Sequence, residues 1–344
     1  MKKWTEQLAA TSAEFSPAEV REIAVDLLAA ESGDEDKADF LEALHRRGET
    51  PGEVSAFALA FLERAEPFAV PAGIGPVLDV CGTGGDKLGL FNVSTAVMFV
   101  AAGAGARLVK HGNRGVTSRS GGADVLEALG VPIEAPAERL VEMLETAGAV
   151  FLFAPRFHPT FRAVAPARKI LGARGQASVF NMLGPLLNPA RPAFQLTGVF
   201  SERLLPVYAE VLPKLGRERA WIVHGRAGEH GIMDEISTLG PTVVAEVGSG
   251  ARPLRTLQPE ELGFPPARIE ALRGGDATDN ARLLESILAG ETSPARDLVL
   301  ANAAAALIVA GLADEWPAAV ARAAESIDSG AAAAVLAALR RCAS

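Results

Sequence analysis

Apolar positions in the first seventy residues recur with helical spacing and never alternate as in a strand. Ser16-Pro17-Ala18-Glu19 carries a capping serine, a proline at the first helical position and a glutamate at the third. Val20, Ile23, Leu27 and Leu28 then mark one apolar face. Thr50-Pro51-Gly52-Glu53 repeats the start signal ahead of Phe57, Leu59, Phe61 and Leu62, and Phe40, Leu41 and Leu44 predict a short helix between the two. The texture changes near Pro71-Ala72-Gly73-Ile74-Gly75-Pro76, after which short apolar runs alternate with helical segments. Residues 77–80, 107–110, 149–153, 195–200, 221–224 and 242–247 are the predicted strands. Such alternation predicts the α/β class, with a largely parallel central sheet covered by helices on both faces. Segments 280–289, 295–312 and 318–339 return to alanine-rich helix.

Composition narrows the picture. The 344 residues leave room for two domains, or for one large α/β domain with an appendage, and a 49% hydrophobic content supplies a sizeable core. A net charge of −9 argues against a general nucleic-acid binder, which carries a basic excess. Cys81 and Cys342 form neither a metal-ligand spacing nor a disulfide framework, and Cys81 reads as a small core residue at a strand end. The N-terminus lacks the apolar core of a signal peptide. Two apolar stretches, 88–106 and 298–313, contain Asn92, Ser94, Thr95 and Asn302, so they read as buried helices rather than membrane spans. A reducing cytoplasm is the expected location.

Two glycine loops carry the candidate chemistry. Gly82-Thr83-Gly84-Gly85-Asp86 follows an apolar strand and leads through Asn92-Val93-Ser94-Thr95 into an apolar helix. Glycines let a backbone turn tightly against a ligand, and free N–H groups at a helix start favour an anion. The run is no dinucleotide fingerprint, because Lys87 stands where a third glycine belongs, and it lacks the Gly-Lys-Ser/Thr of a P-loop. The second loop runs from Lys110-His111-Gly112-Asn113-Arg114-Gly115 through Val116-Thr117-Ser118 to Gly121-Gly122, again between a strand and a helix. Two such loops at the carboxyl ends of one sheet predict a site for a doubly phosphorylated small molecule.

These strings resemble anthranilate phosphoribosyltransferase. The matches are Gly82 to Asp86 with Phe91 to Thr95, Lys110 to Arg114, Ala123-Asp124-Val125-Leu126-Glu127, Phe151 to Pro155 with His158-Pro159, Phe180 to Leu186 with Asn188-Pro189, Asp234-Glu235-Ile236-Ser237 and Ile327 to Gly330. They run in order through nearly the whole chain. The resemblance implies transfer of the phosphoribosyl group of 5-phosphoribosyl 1-diphosphate (PRPP) to the amine of anthranilate, releasing diphosphate, in tryptophan biosynthesis. It implies a small helical domain (1–70 and about 168–192) and a larger α/β domain (74–167 and 193–344), with the site in the hinge cleft. It also implies a homodimer formed through the helical domain. For PRPP it implies Gly82, Gly85, Asp86, Leu90, Asn92 to Thr95, Lys110 to Ser118 and Gly122. For anthranilate it implies Gly82, Asn113 and Arg168, with His158 lining the approach. For Mg²⁺ it implies Asp234, Glu235 and the Ser94 hydroxyl, hard oxygen donors suited to that ion. On their own an Asp-Glu pair is usually surface charge and Arg168 a solvated helix residue; the constellation gives them roles.

Several positions depart from the family pattern. Leu90 replaces a threonine, Gly122 replaces a serine, Gly175-Gln176-Ala177-Ser178 reads as an insertion after Arg174, and Ile232-Met233 adds a residue before Asp234. They keep open a transferase with another aromatic acceptor. A pyrimidine nucleoside phosphorylase of the same fold is disfavoured by the 110–114 string and by Asp234-Glu235. A non-catalytic nucleic-acid-binding paralogue would be basic and would have lost those carboxylates.

Overall fold

The computed structural model describes residues 1–11, 13–115, 119–252, 254–265 and 267–342. Helices α1 (Lys2–Ala10), α2 (Pro17–Leu28), α3 (Asp34–Arg47) and α4 (Pro51–Leu62) open the chain. The two start signals are realised: Ser16 and Thr50 each accept from the backbone of the glutamate three residues on, and Glu19 and Glu53 reach back to the cap. The sheet then begins with β1 (Leu78–Gly82), α5 (Val93–Gly103), β2 (Leu108–Gly112), α6 (Gly122–Ala128), α7 (Ala137–Ala147) and β3 (Ala149–Phe153). Short pieces follow: α8 (Ala154–Phe157), a 3-10 turn at Pro159–Ala163, α9 (Ala165–Ala173), α10 (Phe180–Leu183) and a second 3-10 turn at Gly184–Leu186. The chain returns through β4 (Phe194–Gly198), α11 (Leu204–Lys214), β5 (Arg219–Arg226), β6 (Ile232–Met233), β7 (Thr242–Val247) and β8 (Arg255–Leu257). Helices α12 (Ala277–Leu288), α13 (Pro294–Val309), α14 (Trp316–Asp328) and α15 (Ala331–Arg341) complete it.

The strand order is β3-β2-β1-β4-β5-β7-β8, parallel from β3 to β5 and antiparallel beyond, with β6 paired to β5. All six predicted strands are present, two of them with the predicted bounds. The short strands β6 and β8 have too few residues to show a period. The segment read as one helix over 318–339 is two, because Gly330 takes a left-handed φ of 78° and ends α14 before α15 starts.

Two apolar clusters form the core. One joins β1, β2 and β3 to α5, α6, α7, α12, α13 and α15, and Ala303, Ala304, Ala305 and Ala306 are fully buried because α13 is covered by α5 on one side and α14 on another. The other joins α2, α3 and α4 to α9, α10 and α11 and to Ala220, Ile222 and Ala245 of the antiparallel side of the sheet. The pieces between Val164 and Leu187 pack on the N-terminal helices. No helix among the described residues is long and apolar enough to cross a membrane.

Candidate active site

Strand order changes direction between β1 and β4: the chain leaves β1 toward β2 and leaves β4 toward β5. That reversal opens a crevice at the carboxyl ends of the strands, where ligands of open α/β sheets bind. Gly82 and Gly198 are register partners at the two strand ends, and the Asp234 loop is seated against both. A Cβ on Gly198 would lie 1.5 Å from the Asp234 carbonyl oxygen, and one on Gly82 would lie 2.7 Å from Asp234 Oδ2. A Cβ on Gly225 would meet the Glu235 carbonyl at 2.5 Å. At Gly198 and Gly225 the obstructing atoms are backbone, so glycine there is a packing requirement; at Gly82 the obstructing atom is the end of the Asp234 side chain. The residues read as an insertion, Ile232-Met233, form β6 and deliver Asp234 to the crevice.

Asp234 Oδ2 accepts the Gly84 N–H at 2.7 Å. The Asp86 carboxyl of the first glycine loop stands close enough to Asp234 for each to shift the other. Burial and the neighbouring Asp86 carboxylate push Asp234 up to about 7, and burial raises Asp86 as well. Burial, followed by the Asp234 charge, raises Glu235 well above the ordinary carboxylate range. Such a concentration of half-buried acid suits a cation. Gly84 and Gly85 turn the loop with φ of 71° and 94°, and Lys87, in the third glycine's place, adopts a left-handed φ of 58°.

Asn302 and Asn280 hold these parts, and sequence reasoning assigned neither a role at the site. Asn302, fully buried on α13, accepts the Ile236 N–H at 2.8 Å and donates to the Ile236 carbonyl at 3.0 Å, clamping the backbone beside Glu235. A lone asparagine in an alanine-rich helix was the available signal. Asn280 donates to Asn92 Oδ1 at 2.8 Å, and Asn92 donates to the Ser120 carbonyl at 3.2 Å. With its side chain so engaged, Asn92 does not cap α5. In the first turn the Val93 N–H donates to the Phe91 carbonyl at 2.8 Å and the Thr95 N–H to the Asn92 carbonyl at 3.1 Å, which leaves the Ser94 N–H, among the described residues, to face an anion. Thr95 Oγ1 is buried without a partner in the same turn.

Lys110 is 4% exposed, and its ammonium donates to the Val80 carbonyl at 2.6 Å and to Ser94 Oγ at 3.0 Å. Its charge also opposes the upward shift of Glu235. The side chain therefore links the second loop to the first and to the acids, while the backbone that follows it faces the crevice end of β2. Arg114 turns away from the crevice, pairing with Glu127 and Asp124 and lying over Phe153. Gly115 and Gly121 both donate to Asp124 Oδ2 at 2.8 Å, which fixes the ends of the second loop. Asn113 is exposed and accepts the Arg114 N–H. Val116, Thr117 and Ser118 lie outside the described residues. Val93 is core, and Leu90 packs against it at a bridge to Arg273, so the position supplies an apolar contact. A Cβ on Gly122 would approach Thr95 Oγ1 at 3.2 Å.

Toward Arg168, rings form a continuous path. His111 meets His158 at 5.3 Å, His158 meets Phe161 at 5.1 Å, Phe161 meets Phe180 at 5.7 Å, and the Arg168 guanidinium lies 5.6 Å over Phe180. His158 is packed, with Nε2 bonded to the Leu187 carbonyl at 2.8 Å. Arg168 is exposed, and among the described residues its guanidinium has neither ion pair nor hydrogen bond, so those donors are available. Arg174, before the insertion, reaches Glu35, Asp39 and Glu42 on α3, and the insertion ends at Ser178, which is buried beside the path with its N–H bonded to Asn181 Oδ1 at 2.9 Å.

His111 supplies a pH prediction. Burial, followed by the charges of His158 and Lys110, pulls it down to about 3 from 6.5. The unfolded chain takes up this proton below pH 6.5 and the folded chain does not, so the His111 contribution is complete above pH 6.5 and is lost as pH falls toward 3. Asp86 and Asp234 have the opposite sign, since raised carboxylates favour the folded state on the acid side. The informative quantity is therefore the difference between the protein and His111→Gln in urea unfolding. That difference should shrink by about 2 kcal/mol between about pH 7 and about pH 5. A constant difference over that range would remove the assignment of a neutral buried imidazole.

The comparisons with known proteins agree with this geometry. The model of the glycosyl transferase family α/β domain matches residues 74–333. The anthranilate phosphoribosyltransferase of Anaeromyxobacter dehalogenans is 48% identical over 293 residues, covering 85% of this chain and 84% of the relative. The crystal structure of anthranilate phosphoribosyltransferase from Thermus thermophilus superposes with a TM-score of 0.89 at 41% identity, covering 99% of both chains. The Saccharomyces cerevisiae enzyme in complex with PRPP and Mg gives a TM-score of 0.87 at 28% identity, over 99% of this chain and 97% of that one.

Proposed function

The chain belongs to the anthranilate phosphoribosyltransferases, and from that premise we propose which of its residues carry the reaction. The enzyme transfers the phosphoribosyl group of PRPP to the amine of anthranilate and releases diphosphate. The observation that carries the residue assignment is the acid loop seated between β1 and β4, facing two glycine loops.

Breaking the bond from ribose C1 to diphosphate builds positive charge on the sugar and negative charge on the leaving group. The attacking aromatic amine is weakly basic and carries its own lone pair, so positioning and charge stabilisation dominate over prior deprotonation. In the Gly82–Asp86 loop the Thr83 N–H is taken by the Gly198 carbonyl and the Gly84 N–H by Asp234, so the N–H groups of Gly85 and Asp86 are the ones that face the phosphorylated sugar. The start of α5, through the Ser94 N–H and the Thr95 hydroxyl, takes a phosphate, and the backbone of residues 111–115 flanks the other side. Lys110 keeps Ser94 oriented and balances the acids.

Asp234, Glu235 and the Ser94 hydroxyl would hold Mg²⁺. The fit rests on the donor set, all hard oxygens, and on carboxylates crowded enough to share a proton. Among the described residues no group of three or more His, Cys, Asp or Glu side chains is placed to hold a metal ion by itself; Mg²⁺ usually takes one or two carboxylates and completes its shell with substrate phosphates and water. When bound, the ion neutralises charge on the departing diphosphate.

Arg168 holds the anthranilate carboxylate in a paired contact, with Asn113 and Gly82 beside the ring. Arg168→Ala should raise the anthranilate KM about tenfold or more while leaving the PRPP KM within about twofold, the loss of one charge-assisted contact. Equal changes in both would remove Arg168 from the acceptor site. Residues 1–70 and about 168–192 form the smaller helical unit, which closes on the α/β unit and pairs two copies as a homodimer in the cytoplasm. The acceptor is tested by incubating protein, Mg²⁺ and PRPP with anthranilate and following its fluorescence. Thymidine with phosphate and other aromatic amino acids serve as controls, and preference for one of these would overturn the acceptor assignment.

A further inference from the structure

We propose that Lys37 is a positioning residue for the acceptor side of the site, holding the segment that carries Phe161 and Arg168 through the Ala163 carbonyl. The proposal rests on the assignment of Arg168 to anthranilate. Lys37 is anomalous in its own helix. α3 begins with Asp34, Glu35 and Asp36, which suit the positive end of a helix; a cation in the next position does not. Lys37 is also 1% exposed, among the most buried side chains of the protein. An ammonium removed from water needs an acceptor. Its Nζ has one among the described residues, the Ala163 carbonyl at 2.9 Å, 126 residues along the chain.

Ala163 closes the 3-10 turn that begins at Pro159, two residues after Phe161 and five before Arg168. The bond therefore fixes the point where the ring path passes into α9. At the far end of α9, Arg174 pairs with Glu35 at 2.6 Å, Asp39 at 2.8 Å and Glu42 at 3.0 Å of the same α3. Both ends of the acceptor segment are thus tied to one helix through basic side chains. The Arg174 contacts are partly exposed and screened by water and salt, whereas the Lys37 bond is shielded and directional. Lys37 is accordingly the contact that sets where Arg168 stands relative to Phe180.

Lys37→Met keeps the length and apolar stem and deletes the donor. It should raise the anthranilate KM about fivefold, the order of one lost hydrogen bond, with kcat and the PRPP KM within about twofold. Lys37→Gln, which retains one donor, should recover part of the loss, and it carries the same comparison if the methionine variant does not fold. A fall in melting temperature with an unchanged anthranilate KM would overturn the proposal, leaving Lys37 as a buried strut. So would parallel rises in both KM values. Arg168→Ala is measured alongside. If it raises the anthranilate KM and neither Lys37 variant does, only the Lys37 proposal fails. If it has no effect, the acceptor assignment fails and takes the proposal with it.

Discussion

Asp234→Asn combined with Glu235→Gln should abolish Mg²⁺-dependent turnover while leaving the protein folded and no less stable. The two expectations have one cause. The acids stand half-buried beside Asp86, and their carboxyls are driven upward by loss of water and by one another. Near pH 8 a folded state holding these groups ionised is strained by repulsion that an extended chain escapes, so neutral amides relieve it. After Asp234→Asn the side-chain amide oxygen can still accept from the Gly84 N–H, and the Asn302 clamp on Ile236 involves only backbone of the acid loop. What disappears is the anionic donor set for a divalent ion. Loss of one electrostatic stabiliser costs about a hundredfold or more, so loss of both carboxylates should cost about a thousandfold or more in kcat/KM. Melting temperature without metal should hold or rise, and Mg²⁺ with PRPP should no longer raise it. Near-native turnover in the double variant would defeat the metal assignment; a collapse in stability would show the acids to be structural.

The parts of this site that were legible in the sequence are those with local physics. Strand-to-helix turns need glycine, a capping box needs Ser or Thr and Glu at fixed spacing, and Ser16 and Thr50 meet their glutamates as read. Buried strands are continuous apolar runs, so β3 and β7 fall where the pattern puts them. Contacts between distant segments were not legible. Lys110 reads as a phosphate ligand beside glycines, yet its ammonium is spent on Val80 and Ser94. Arg114 reads likewise, yet Glu127, one helix turn past Asp124, claims it. Asn302 looks like a polar interruption in an alanine-rich helix, and Lys37 like one more charge among Asp34, Glu35, Asp36 and Asp39. Their meaning lies in the carbonyls of Ile236 and Ala163, which only the fold brings near.

Gly198 is the sharpest instance, and its replacement should be the most damaging single change. Nothing in the sequence separates it from glycines at other strand ends, and its φ is not in the left-handed region. The constraint is space: an added Cβ would lie 1.5 Å from the Asp234 carbonyl oxygen and 2.3 Å from its carbon. Those are backbone atoms, pinned by β6 on one side and by Asn302 on the other, so no rotamer change relieves the clash. Gly198→Ala must either spread β4 from β1 or expel the acid loop. Overpacking of this kind costs about 3 kcal/mol or more, and the displaced acids should lower kcat/KM by about a hundredfold. Gly172→Ala is the matched control, because a Cβ there, inside α9, meets nothing within 4 Å and should be tolerated. Urea unfolding and turnover, measured on both variants, separate the cases. A Gly198→Ala protein that kept both stability and Mg²⁺-dependent activity would mean that the acid loop does not rest on the end of β4, and the crevice between β1 and β4 would no longer be the place where diphosphate leaves.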